Sequence, residues 1–162
     1  PSLASLGRER VNAGTLGRQT TASAESPMPF NAPSDAIARV LRKIGVDPAE
    51  RITEFCQDPE YTACRAEEVP AYFELYRGGE VDGAERAVLC CFLLEGLNDF
   101  CGQREPHDLQ PHIFNALFAA GDVHAEELAY WMNTSDPDPD NWWPITAHLL
   151  KHHEARHHKG GA

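Results

Sequence analysis

Five consecutive residues, His153-Glu154-Ala155-Arg156-His157, spell H-E-x-x-H. On a helix the i, i+4 spacing sets both imidazoles on one face, where they can hold zinc. The glutamate beside them can then activate a bound water. The surroundings argue against a metallopeptidase. Arg156 puts a cation between the two imidazoles. His148 and His152 belong to the same segment, whereas a third zinc ligand normally comes from another one, and no edge strand is expected that could hold a peptide. The preferred reading is a solvated helix end whose imidazoles sit near the negative end of the helix dipole. A metal-dependent hydrolase built on this cluster is kept as the alternative.

Four weaker patterns also point to chemistry. Glu154 and His157 form an E-x-x-H unit, but a carboxylate di-iron bundle needs two on different helices. His107-Asp108 resembles the H-D pair of phosphohydrolases, but no histidine precedes it, so Asp108 reads as a helix cap. "ALFAAGDVHAEELAYWM" has the layout of a helix-turn-helix, but its second helix carries Glu126 and Glu127 and no Lys, Arg or Gln, which suits a structural hairpin better than DNA. Glu95 and Asp99 lie one turn apart, as in acid–base pairs, but read first as an exposed polar edge.

One segment stands out as a binding surface. Tyr130-Trp131 closes one helix and Trp142-Trp143 precedes the next, so all three tryptophans of the chain flank the acidic, proline-stiffened "DPDPD". Asp136, Asp138 and Asp140 alternate as at the start of a calcium loop, but Asn141 and Ala147 stand where an EF-hand needs Gly and Glu. Indoles serve as interface anchors, and neighbouring carboxylates steer a cationic partner. Trp131, Asp136, Asp138, Asp140, Trp142 and Trp143 are therefore the candidate partner-binding residues. The competing reading folds the rings inward. No catalytic residue, metal ligand or cofactor is assigned.

Charge agrees with such a partner. The net charge of the 162 residues is -11. Residues 1–33 carry +1 and residues 34–162 carry -12. An anionic body repels phosphate backbones and anionic membranes, so neither nucleic acid nor membrane is expected as a partner, whereas a basic protein is attracted. A small acidic protein of this kind suits an immunity- or antitoxin-type role, masking the positive cleft of a nuclease toxin. Five cysteines, with Cys90 and Cys91 adjacent in an apolar run, read as reduced thiols in a cytoplasmic protein. The longest apolar run, residues 87–94, is far too short to cross a bilayer, and no secretory h-region is seen.

The elements that must position these groups are helices. Residues 1–33, rich in Ser, Thr, Gly, Ala and Pro, read as a flexible arm. Residues 34–155 read as an all-α domain, a compact bundle or irregular array of six to seven helices, and 156–162 as a disordered tail. Ser34 caps a first helix with Ile37, Val40, Leu41 and Ile44 on one face, stopped at Gly45. Asp47-Pro48 starts a second through 56. A third spans 70–78 and ends in Gly78-Gly79. Asp82 caps a fourth, apolar all round from Val88 to Leu94 and hence central. Asp108 caps a fifth. Gly121 and Asp122 mark the turn into a sixth, and a seventh covers 144–153. A short strand near Cys64 is also considered.

Overall fold

A computed structural model describes residues 33–53, 58–103 and 107–159. The expected arm therefore lies outside the described residues except for Pro33, as do Cys56 and residues 160–162 of the expected tail. The fold is all-α. Among the described residues there are seven α-helices, four 3-10 turns and no strand, so no strand forms at Cys64. The helices are α1 (Ser34–Lys43), α2 (Pro59–Thr62), α3 (Val69–Gly78), α4 (Gly83–Gln103), α5 (Gln110–Ala119), α6 (Ala125–Trp131) and α7 (Thr146–Lys159).

The axis of the fold is α4. Val88, Leu89, Cys90, Cys91, Phe92, Leu93, Leu94 and Leu97 are all buried, because α1, α2, α3, α5 and α6 each pack on it. Each neighbour contributes one apolar stripe: Ile37, Val40 and Leu41 from α1, Val69, Tyr72, Phe73 and Tyr76 from α3, Ile113, Phe114 and Leu117 from α5. Side chains three and four apart share a helical face, so one stripe suffices to dock each helix. At Gly96 the approach is closest. A Cβ there would lie 2.5 Å from Val69 Cγ2, so only glycine lets the start of α3 cross α4 at this distance.

The local signals hold in several places. Gly45, Gly79 and Gly121 all adopt positive φ, and Gly79 is the left-handed cap of α3. Asp82 Oδ1 accepts the Glu85 amide at 2.8 Å while Glu85 Oε2 accepts the Asp82 amide at 2.9 Å, a reciprocal cap that starts α4. Other expectations need correction. Ser34 is already the first residue of α1, so the cap position falls to Pro33, which supplies no side-chain bond. Asp47 does cap, accepting the Ala49 amide, but only a 3-10 turn, Pro48–Glu50, follows. Asp108 does not cap α5; the Leu109 amide donates instead to His107 Nδ1 at 3.1 Å. The seventh helix continues through Lys159, well past residue 153. No described helix is long and apolar enough to cross a membrane.

Candidate functional site

The acidic loop is built from its own side chains. Asp136 Oδ1 accepts the Asp138 amide at 2.9 Å, and Asp138 Oδ1 accepts the Asp140 amide at 3.1 Å. Asp and Asn readily bond the backbone two residues on, and proline fixes φ between them. Asn141 Nδ2 then donates to Asp136 Oδ2, and Trp142 Nε1 donates to the Asp136 carbonyl at 2.9 Å. The result is a preformed turn with three exposed carboxylates. None of them forms an ion pair with a described residue, and backbone amides engage one oxygen each of Asp136 and Asp138.

The three indoles divide. Trp131 is 1 % exposed, and its Nε1–H donates to Glu127 Oε1 at 2.8 Å. Its position corrects the expectation of a surface anchor: the ring is part of the core, facing inward because α6 packs that face on α4. Trp142 is half-buried, its polar edge tied to the loop. Trp143 is 45 % exposed and rests against Trp131 at 5.4 Å and Tyr130 at 6.2 Å between ring centroids. Tyr61 extends the aromatic surface, 6.4 Å from Tyr130.

The pair Glu95 and Asp99, expected as an exposed polar edge, departs from that expectation: Asp99 is exposed but Glu95 is half-buried. The charge of Glu60 on α2 acts on Glu127 of α6, and those of Glu127 and of Asp99, one turn along, act on Glu95 of α4. Glu60 and Glu127 are buried. Burial pushes the Glu127 carboxyl up, against the opposing hydrogen bond from Trp131, and burial likewise raises Glu60. Burial together with the charges of Asp99 and Glu127 brings Glu95 to about 7. Glu127 Oε2 and the Tyr61 hydroxyl are buried outside ordinary hydrogen-bond geometry, but the Cys91 thiol and the Tyr61 hydroxyl lie close enough to Glu127 to join Trp131 in favouring its charged form. None of the four carboxylates forms an ion pair with a described residue. Two other shielded carboxylates are paired by contrast: Glu85 meets Lys43 at 2.7 Å and Arg39 at 3.1 Å, and Glu68 meets Arg51 at 2.7 Å.

No protein family, no curated protein and no solved structure matches this chain. Its function must therefore be argued from the geometry above and from the remaining candidate groups.

Those groups offer little catalytic machinery. His153 and His157 do come together, with Nε2 atoms 3.1 Å apart. Glu154 is exposed and does not line the groove that they border. No group of three or more His, Cys, Asp or Glu among the described residues is placed to hold a metal ion. His124 is buried against the Tyr76 hydroxyl at 2.9 Å, and burial together with Arg86 lowers it to about 4, so it is neutral at physiological pH. The thiols of Cys90 and Cys91 border a cavity with His124 and Glu127. Burial pushes both thiols far above the ordinary thiol value, which leaves no thiolate nucleophile.

Proposed function

We propose that this protein is a non-enzymatic, acidic binding protein that holds a basic protein partner. The observation that carries the reading is the preformed loop with Asp136, Asp138 and Asp140 free of cations beside the half-exposed Trp143. A partner's lysine or arginine side chains would meet carboxylates already held in place, and an apolar group could seat on the indole. Trp131 supports that platform from beneath. An immunity- or antitoxin-type role, covering the positive cleft of a nuclease, suits this charge. Direct binding of nucleic acid does not. The buried thiols suit a cytoplasmic setting.

The test is binding of a Lys/Arg-rich peptide, followed by indole fluorescence, together with capture of basic proteins at low salt. Asp138→Asn removes one charge and keeps the acceptor of the turn; Asp138→Lys reverses the charge. Affinity should fall as salt shortens the screening length, and should drop about tenfold in the Lys variant, a change of roughly 1.4 kcal/mol. Binding indifferent to salt and to both substitutions would refute the proposal. The hydrolase alternative is supported by the approach of the two imidazoles alone, and would require a third ligand from outside the described residues.

A further inference from the structure

The approach of His153 and His157 has a use that needs no hydrolysis. We propose that these two imidazoles form a chelating site for a borderline divalent transition metal of the Zn2+, Ni2+ or Cu2+ class. The residues lie one turn apart on α7, and their Nε2 atoms face each other at 3.1 Å, with ring centroids 4.5 Å apart. Zinc binds imidazole nitrogen at about 2.0–2.1 Å. Two nitrogens at the observed separation therefore subtend about 98° at a shared ion, between the octahedral and tetrahedral angles. In the metal-free pair one nitrogen must carry a proton while the other accepts it. A metal ion replaces that proton once each ring turns to aim its lone pair at the shared ion.

The surroundings favour a cation here. The two histidines border a groove of about 570 Å³ whose other lining includes Phe118, Asp122, Met132 and Arg156. Asp122 brings a carboxylate to the same groove, from the turn that precedes α6. Phe118 packs against His153, with ring centroids at 5.6 Å, and limits its rotation. The guanidinium of Arg156 lines the same groove and lies over the Phe118 ring at 5.8 Å. His157 is in the last turn of α7, where the helix dipole favours positive charge. Imidazole selects this class of metal over calcium or magnesium, and Cu2+ should bind most tightly of the three. Glu154, adjacent in sequence, is rotated by about 100° around the helix and does not line the groove. The site therefore holds a metal with open, water-filled positions and has no adjacent general base. It does not depend on the acidic loop.

The experiment uses the full chain without an affinity tag and never exposed to an immobilised-metal column. Zn2+ is titrated in competition with a chromophoric chelator. Cu2+ is added separately, and its electron paramagnetic resonance spectrum is read for coordinated nitrogens. The expected result is one equivalent of tight metal, two imidazole nitrogens on copper, and about tenfold or greater loss of affinity in each of His153→Ala and His157→Ala. Circular dichroism should show both variants folded, since these positions lie outside the core. His158→Ala, on another face of α7, should bind like the parent. If the double variant held metal as tightly as the parent, or if His158→Ala abolished binding, the assignment would be overturned.

Discussion

Replacing Glu95 with glutamine tests the electrostatics of the platform directly. In the folded protein, burial and the charges of Asp99 and Glu127 raise this carboxyl from 4.5 to about 7. A raised folded value means that the fold prefers the neutral form. The stability that this preference confers is fully present below pH 4.5 and is lost as pH rises through about 7. At about 1.4 kcal/mol per pH unit, the full difference is about 3 kcal/mol. Because Glu95 is only partly buried, solvent screening reduces it to about 1–2 kcal/mol. Glutamine keeps the shape and cannot ionise. Urea denaturation of parent and variant at pH 4.5, 6 and 8 should therefore give nearly equal stabilities at the lowest pH. By pH 8 the variant should be about 1–2 kcal/mol the more stable. A difference that did not grow with pH, or a variant less stable at pH 8, would refute the claim that Glu95 is held against its charged state.

Glu85 should answer with the opposite sign. Burial works against its charge, but Lys43, the Asp82 amide and Arg39 outweigh burial and lower its pKa. The stability it contributes is present above the ordinary carboxylate value and lost as pH falls through the lower folded one. Glu85→Gln should cost about 1–2 kcal/mol at pH 7, and the loss should shrink in acid when measured by urea denaturation. Gly96→Ala should destabilise by about 1–3 kcal/mol in thermal melts, because the new Cβ meets Val69 and α3 must shift.

The helical architecture was legible because its strongest signals are local. A run from Val88 to Leu94 with no polar face has to be enclosed, and it is. Glycines at 45, 79 and 121 mark conformations that other residues avoid, and all three have positive φ. The second helix was misread because its fate depends on distant groups. After the turn at Pro48–Glu50, Arg51 donates to the Ala63 carbonyl at 3.2 Å and to Glu68 Oε1 at 2.7 Å, and those bonds redirect the chain. The extension of α7 rests on good helix formers such as Glu154, Ala155 and Arg156 rather than on an apolar stripe, so a periodicity argument stops too early.

The site was legible only in part. The acidic loop could be read from Asp-Pro alternation between aromatic pairs. Which indole faces outward could not, because that depends on how α6 turns against α4. Glu60, Glu95 and Glu127 come from three helices and share no spacing motif. Only their convergence marks them: the charge of Glu60 acts on Glu127, and that of Glu127 on Glu95. Glu127 belongs to the hairpin weighed against a DNA-binding motif, where its charge served to argue against DNA rather than for a site.

Two buried hydrogen bonds secure the far side of the acidic loop: Thr146 Oγ1 donates to the Trp131 carbonyl at 2.8 Å, and the Ile145 amide donates to Asn98 Oδ1 at 3.3 Å. The start of α7 is thereby stitched to α6 and α4, and the segment between is a strap anchored at each end. If the strap binds as proposed, ends held in this way narrow the range of shapes it can adopt. A visitor whose shape suits it gains affinity without an ordering cost, whereas an ill-fitting one has no adaptable surface to recruit. Selectivity would then come from a rigid outline as much as from charge.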